Sequence, residues 1–314
     1  MSSSDIKTSA KVRQNPQLLS NGRLFQYNLF FLNAVPSFLL LFSSPIIVLK
    51  NFGKELRKMG VVRIDNVLPN EIADELRNYV FNLRTESETL VEEGKVKPLA
   101  RFANVLLKKN RCDLTIPLEE DDVVDALLHV LQKSPVGKLI SINLGKDPSL
   151  YELSCLISDS GSQRQTVHPD TPCSSGSDAD VVLYTCFIAL QSITLEMGPT
   201  TWIPKTHTAA KHAVFKDDQL DVTIGESPKD KLLRTSPSVL GLLPKGSCAI
   251  FDSRLLHCGG SNISNDKTRA LFYFSFKNTG VGYPGNPASI RPEIHSKYTL
   301  KTLEAELKKL KKAR

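Results

Sequence analysis

The pattern of apolar and polar positions separates an N-terminal part that favours helices from a later part that favours short strands. Apolar residues at helical spacing predict a helix that ends at Gly60, a second that begins near Asn70, and a third that follows an acidic run. Asn70 is of a residue type that caps helices, and acidic side chains suit a helix N-terminus. The predicted helices are 52–59, 70–83 and 121–131, and the predicted strands of this part are 61–65 and 112–117.

From about residue 139 the chain consists of short apolar runs between turn-forming clusters, without intervening helices of the βαβ type. Several short strands in this arrangement are typical of an antiparallel sandwich or barrel. A last helix over 298–313 carries a leucine stripe that packs on the domain or mediates dimerisation. The strand candidates are 149–158, 162–170, 181–190, 200–205, 239–253 and 269–278, and the stripe is Leu300, Leu303, Leu307 and Leu310.

The N-terminal segment leaves two alternatives open. Residues 24–49 carry no charge and are long enough to span a bilayer, but polar residues and prolines interrupt them. They are therefore either a targeting or membrane-anchoring element or a segment that packs in the core. We expect 1–49 to be a separate segment and 50–314 to form one domain with a β-rich core over about 149–280.

Composition and charge limit the classes of protein. The chain has 314 residues, of which 41% are hydrophobic and 23% are charged, as in ordinary globular proteins. The net charge of +7 lies partly in the C-terminal residues 308–314, and a basic helix end is weak support for nucleic-acid binding, which we do not expect. Six scattered cysteines without a CxxC motif indicate a reducing, intracellular and most simply cytoplasmic compartment, with membrane association through 24–49 left open.

Candidate chemistry centres on His168 and Asp170. On an extended segment, residues i and i+2 project from the same side, so the imidazole and the carboxylate point together. His257 follows a later strand and precedes a glycine-containing loop. Two histidines and one carboxylate form the facial triad of non-haem iron(II), which leaves positions open for a chelating co-substrate and dioxygen. Arg269, at the head of the next strand, suits the distal carboxylate of 2-oxoglutarate, because a guanidinium binds carboxylates bidentately.

Several segments together resemble the phytanoyl-CoA dioxygenase family, over about residues 50–280. The resemblance implies a double-stranded β-helix, or jelly-roll, core with flanking helices, which uses iron(II), 2-oxoglutarate and dioxygen. It also implies that His168, Asp170 and His257 are the metal ligands, that Arg269 binds 2-oxoglutarate and that Phe187 lies beside it. The segments are KMGVVRIDNVLP at 59–69, HPDT at 168–171, LYTCFIALQSIT at 183–194, MGPTTWIPKTHT at 197–208 and HCGGSN at 257–262.

The sequence also departs from that family's pattern. Two residues after the distal histidine, many members have a small hydroxyl residue, whereas this chain has Gly259, so that Ser261 or a water could take its place. The loop 172–180 carries three serines and two aspartates, which predicts a reshaped region beside the metal. His207 is interpreted as a histidine that orders the 199–208 turn, and His212 is expected at the surface.

These features predict a dioxygenase that hydroxylates a small organic or lipid-like substrate and releases succinate and CO2. The alternative is a cupin-like metal protein, such as an isomerase, and the carboxylate ligand and Arg269 argue against it. Arg101, Arg111 and Asp113 could line a substrate entrance or belong to a solvated connection. No segment resembles a determinant of acyl-CoA binding, so a CoA ester is not implied.

Overall fold

The structure, a computed structural model, describes residues 45–95, 109–173, 180–282 and 288–314. Its helices are α1 (Pro45–Met59), α2 (Asn70–Glu92), α3 (Asp121–Leu128), α4 (Val136–Leu144), α5 (Ala209–Lys216), α6 (Pro228–Thr235) and α7 (Leu300–Lys312). A π-helical turn, His129–Lys133, continues α3, and a short 3-10 helix covers Leu195–Met197. The strands are β1 (Val61–Ile64), β2 (Arg111–Thr115), β3 (Ser149–Ser158), β4 (Leu183–Ala189), β5 (Thr200–Trp202), β6 (Val239–Leu240), β7 (Cys248–Asp252), β8 (His257–Gly259) and β9 (Arg269–Lys277).

Six strands form one antiparallel sheet in the order β1-β7-β4-β9-β3-β2. Strand β4 is buried along its whole length and β9 along all but its last residue, because both faces of the sheet are covered. Side chains alternate between the two faces, so Phe272, Phe274 and Phe276 point away from Leu271 and Tyr273. The first set packs under the helices and the second faces the interior of the barrel.

A smaller sheet with the order β6-β5-β8 covers the other side of the barrel. The segment 165–168 extends it, because His168 and His257 exchange two backbone hydrogen bonds of 2.9 Å. The side chain of Trp202 in β5 joins the two sheets, with its ring 6.5 Å from Phe187 and 5.7 Å from Phe251. Two antiparallel sheets packed in this way form the jelly roll that the sequence predicts.

Helices cover the outer face of the larger sheet and enclose the main hydrophobic core. Leu76 and Val80 of α2 are fully buried there, as are Leu303 and Leu307 of α7. The C-terminal stripe thus packs on the domain, with Leu310 only partly buried at its end. Leucine and valine at helical spacing supply this layer because each buried side chain of that size contributes about 1.5–3 kcal/mol.

Several local predictions are corrected by the structure. Helix α1 begins at Pro45 rather than near Phe52, and α4 was not predicted. Asn70 does not cap α2, because Pro69 occupies the capping position and no side-chain cap bond is present. The apolar stretch 24–49 lies mostly outside the described residues. None of the helices in the described part of the chain has the length and apolar character that a membrane crossing requires.

Candidate metal and co-substrate site

The two sheets bring His168, Asp170 and His257 together at one point of the barrel. One carboxylate oxygen of Asp170 lies 3.7 Å from Nε2 of His168 and 3.6 Å from Nε2 of His257. All three ligand atoms lie within 4.8 Å of one another. Ligands of a facial site with bonds of about 2.1 Å are separated by about 3 Å, so a small contraction would close these three atoms around an ion. Two imidazole nitrogens and one carboxylate are the donor set expected for non-haem iron.

Backbone contacts orient each of the three side chains. Nδ1 of His168 lies 2.8 Å from the carbonyl oxygen of Thr166, and Nδ1 of His257 lies 2.8 Å from that of Leu255. A carbonyl oxygen can only accept, so each Nδ1 carries the proton and each Nε2 keeps its lone pair. The backbone N–H of Asp170 donates to the carbonyl of Ser253 at 2.9 Å and holds the loop in place.

The electrostatic surroundings favour the neutral form of His257. Burial lowers the pKa of His257, and the neighbouring His168 lowers it further, while the Asp170 carboxylate and the Leu255 carbonyl act in the opposite direction. A neutral imidazole is the form that binds a metal ion. His257 therefore keeps its neutral, metal-binding form to lower pH than an ordinary histidine.

Arg269 is fully buried at the start of β9. Its guanidinium donates to the carbonyl oxygen of Gly198 and, at 3.1 Å, to the hydroxyl of Ser158. Within the described residues no carboxylate pairs with it, and its Nε has no hydrogen-bond partner. Burial lowers the pKa of Arg269 to about 9, and the charge of Arg111 adds to this effect. A buried cation without a counter-charge is costly, so the pocket is suited to an anion.

Arg111 supplies a second cation to this pocket. It pairs with Ser158 across β2 and β3, and Ser158 pairs with Arg269 across β3 and β9, so the three residues form one row. Arg111 is buried, donates to the carbonyl of Gly260 at 2.9 Å, and leaves Nε and Nη1 without partners in the described structure. The sequence left Arg111 either at a substrate entrance or in a solvated connection, and the register of β2 places it inside the barrel instead.

The structure also shows what occupies the space beside Gly259. A Cβ atom at Gly259 would lie 2.5 Å from Oε1 of Gln165 and 2.9 Å from Nη1 of Arg111. The Gln165 oxygen accepts a hydrogen bond of 2.8 Å from the Gly259 N–H. Gln165 and Arg111 thus fill the volume that a hydroxyl side chain would take at this position. Gln165 was not identified from the sequence, because only the pairing of 165–168 with β8 brings it here.

The remaining candidate residues lie in the interior wall of the barrel or at the 199–208 turn. Phe187 lies in the interior wall, with its ring 4.9 Å from Phe251 and 5.5 Å from Tyr273. Asp113 is buried in the same wall rather than at an entrance. His207 contacts the α1 carbonyl of Arg57 at 3.0 Å and helps to fix the 199–208 turn.

His212 is buried and not at the surface as predicted. Its Nδ1 accepts from the N–H of Cys173, and its Nε2 lies 2.7 Å from the Arg254 carbonyl. His212 therefore connects α5 to the segments that follow Asp170 and precede His257. Arg101 and residues 174–179 of the serine-rich loop lie outside the described residues. All six cysteines lie within them and form no disulfide.

A His–Asp–His cluster inside an antiparallel jelly roll offers the donor set of a mononuclear non-haem iron site. The family model described as phytanoyl-CoA dioxygenase (PhyH) matches residues 56–270. The chain belongs to the phytanoyl-CoA dioxygenase family, and therefore to the superfamily of iron- and 2-oxoglutarate-dependent enzymes.

Solved structures share the fold at low sequence identity. The epimerase SnoN from nogalamycin biosynthesis, in complex with Fe3+, α-ketoglutarate and nogalamycin RO, is 18% identical with a TM-score of 0.50, over 76% of this chain and 86% of its own. AviO1 from Streptomyces viridochromogenes Tue57 is 14% identical with a TM-score of 0.50, over 76% of this chain and 97% of its own. No curated protein matches the sequence.

Proposed function

We propose that this protein is an iron(II)- and 2-oxoglutarate-dependent dioxygenase that hydroxylates a small organic substrate and releases succinate and CO2. The observation that carries the proposal is the combination of the His168–Asp170–His257 cluster with Arg269, a buried cation for which the described residues provide no carboxylate. A metal protein without an anionic co-substrate has no need for such a cation.

Different residues of the barrel would bind the metal ion and the co-substrate. His168, Asp170 and His257 would hold the iron, which together with 2-oxoglutarate and dioxygen supplies the oxidising chemistry when bound. Arg269 would bind the distal carboxylate of 2-oxoglutarate, with Ser158 beside it. Arg111 adds positive charge to the same pocket.

The walls around this pocket keep it largely dry. Phe187 and Phe251 pack against each other and close one side of the barrel. Exclusion of water strengthens the attraction between the guanidinium groups and a carboxylate, because the effective dielectric constant falls. SnoN, which shares the fold, is a non-haem α-ketoglutarate-dependent epimerase, so the same architecture supports reactions other than hydroxylation. Here hydroxylation is the proposed outcome because it requires no residue beyond those of the site.

Binding and turnover test this proposal separately. Anaerobic addition of 2-oxoglutarate to the iron(II)-loaded protein should produce a visible absorption band, and succinate should form when air and a substrate panel are supplied. Arg269→Gln should weaken 2-oxoglutarate binding by about 100-fold, since one charged pair with two hydrogen bonds is lost, and should leave metal affinity unchanged. Unchanged affinity in this variant would refute the anchor, and absence of both the band and succinate would refute the enzyme class.

A further inference from the structure

A second group of polar side chains lines the interior of the barrel and takes no part in metal or 2-oxoglutarate binding. We call Glu152, Ser275 and Thr185 the acidic row, since these residues lie opposite one another on β3, β9 and β4. Directly paired residues on neighbouring strands project from the same face. The hydroxyl of Ser275 donates to Glu152 at 2.7 Å, which places both side chains on the interior side.

The acidic row lies toward the opposite end of β9 from Arg269, on the side of the barrel where Phe251 contacts His257. Ser275 and Arg269 are six residues apart on β9, which corresponds to about 20 Å at 3.3 Å per residue. Thr185 pairs with Phe251, whose ring lies 5.1 Å from that of His257. A co-substrate that extends from Arg269 to the metal therefore stays on one side, and the acidic row faces the side left for the substrate.

The acidic row contains one carboxyl group, that of Glu152, and the described residues provide no cation to pair with it. Glu152 is half-buried and accepts hydrogen bonds from the hydroxyl of Ser275, at 2.7 Å, and from the backbone N–H of Ser289. A carboxylate can accept more than two hydrogen bonds, so part of its acceptor capacity is unused. Asp113 lies nearby and is saturated, because the hydroxyls of Tyr273 and Ser289 both donate to it, at 2.8 and 2.7 Å. Neither carboxylate forms an ion pair with any residue that the structure describes.

Thr185 independently indicates that something binds here. Its side chain is 2% exposed, and its hydroxyl has no hydrogen-bond partner among the described residues. Because Thr185 lies opposite Ser275, this hydroxyl is directed into the space in front of Glu152. A buried hydroxyl without a partner is unfavourable, and a ligand with a polar hydrogen would provide the missing hydrogen bond.

From these contacts we propose that the substrate carries a protonated amine, which binds to Glu152 and Thr185 in the acidic row. The inference rests on the proposed function, because it assigns the substrate of the same site. An ammonium group donates three hydrogen bonds and offsets the charge of Glu152 and Asp113, whereas a carboxylate or phosphate would be repelled. Burial raises the pKa of Glu152 to about 8, and the charges of Asp170 and Asp113 add to it, so a bound cation would bring the carboxylate back to its charged form.

The test compares n-hexylamine with 1-hexanol, two probes that have similar shape and differ in charge. Binding to the full-length protein is measured by calorimetry, first without metal and then with nickel(II) and 2-oxoglutarate. We expect the amine to bind at least about 10-fold more tightly than the alcohol. Glu152→Gln keeps the shape and the contact with Ser275, and should reduce the amine to the affinity of the alcohol. Thr185→Val should weaken the amine several-fold, while Glu75→Gln on the exposed face of α2 should change nothing.

Three results would overturn this assignment: equal binding of amine and alcohol, no amine binding at millimolar concentration, or a preference that persists in Glu152→Gln. Binding of 2-oxoglutarate is measured in the same preparations and should be unaffected by Glu152→Gln. If wild-type protein fails to bind 2-oxoglutarate, the proposed function falls. The metal-free comparison still decides whether the acidic row binds an amine.

Discussion

At the scale of single residues, the two histidine rings of the cluster are oriented by the same type of contact with the backbone. In each case the ring nitrogen Nδ1 meets the carbonyl oxygen two residues earlier in the chain. The two histidines also pair with each other across the antiparallel bridge, so both rings leave the backbone at matching positions. Asp170 then adds the carboxylate, the one anionic group among the three side chains that would hold a divalent ion.

Asp170→Asn should therefore reduce nickel(II) or iron(II) affinity by at least about 100-fold, because a neutral amide replaces a charged ligand of nearly the same shape. Metal titration followed by calorimetry checks this change. Asp221→Asn, in an exposed turn, is the matched control and should bind metal like the wild type. Retention of full affinity in Asp170→Asn would show that the cluster is not the metal site.

Gly259 is a second position at which a single residue change should alter 2-oxoglutarate binding. In Gly259→Ser, the new side chain meets the ends of Gln165 and Arg111, which can move, so the fold should survive. The displaced Gln165 no longer accepts from the Gly259 N–H, and the loss of one hydrogen bond of about 1 kcal/mol in this pocket should weaken 2-oxoglutarate about 5- to 10-fold.

The double variant Gly259→Ser with Gln165→Ala should recover most of that affinity, because the serine hydroxyl enters the volume that Gln165 leaves. Gln165→Ala alone is the control and should weaken 2-oxoglutarate on its own. Calorimetric titration of all three variants forms a double-mutant cycle. Additive losses in the double variant would contradict the view that Gln165 takes the place of a hydroxyl side chain.

At the scale of secondary-structure elements, β3 presents apolar side chains on one face and polar side chains on the other. Leu153 and Cys155 face the helices and are fully buried, whereas Glu152 and Ser154 face the interior of the barrel. Glu152, the residue proposed to bind a substrate amine, thus lies on a strand whose other face packs in the hydrophobic core. Such a placement has a cost in stability that depends on pH.

That cost can be measured with Glu152→Gln. The folded-state pKa of Glu152 is raised to about 8, from an ordinary value of 4.5, mainly by burial. The folded protein therefore binds more protons than the unfolded chain between pH 4.5 and 8, so the wild type loses stability as the pH rises through this window. Asp113, Asp170 and Tyr273 also face this region, and burial raises the pKa of Asp113 to about 6, which acts in the same direction.

We expect the wild type to lose on the order of 2 kcal/mol more than Glu152→Gln between pH 5 and pH 8.5, in the free energy of unfolding. Denaturant unfolding at both pH values provides the comparison. Glu75→Gln serves as the control and should follow the wild type at each pH. Parallel pH profiles for wild type and Glu152→Gln would show that Glu152 is charged and solvated in the folded protein.

At the scale of the whole molecule, the sequence predicts what depends on neighbouring residues and misses what depends on strand register. The β-rich run at 149–158 predicted β3 with its observed bounds, and the candidate ligands His168, Asp170 and His257 do lie close together. The cationic row of Arg111 and Arg269 exists only because β2, β3 and β9 pair in one register.

Helix α4 and the capping of α2 were missed for a different reason. The α4 segment packs against α1 and the larger sheet, and its exposed side combines the polar Lys138 and Ser141 with the apolar Ile142, so its pattern is not that of a clearly amphipathic surface helix. At the start of α2, Pro69 takes the capping position in an extended conformation, and the helix begins one residue earlier than a cap at Asn70 would place it. Tertiary packing overrides local preference at both places.

The extent of the domain is the remaining prediction. Phe52 and Leu56 of α1 are buried in the main core, and the Gly60 carbonyl accepts from the N–H of Asp252, so α1 belongs to the folded unit. A chain that begins at residue 45 should therefore unfold cooperatively and bind 2-oxoglutarate as tightly as the full chain. Removal of 1–60 instead exposes the surface under Phe52 and Leu56 and should cost about 4 kcal/mol or more.

Thermal unfolding and 2-oxoglutarate titration of the two truncated proteins check this boundary. If the protein that starts at residue 45 is unfolded while the full chain is stable, then residues 1–44 belong to the domain and the proposed division near residue 49 is wrong. If the protein that starts at residue 61 is as stable as the full chain, the burial of Phe52 and Leu56 contributes nothing to the fold. Equal behaviour of the full chain and the 45–314 protein, with loss of cooperative unfolding in the shorter one, places the boundary of the catalytic domain before α1.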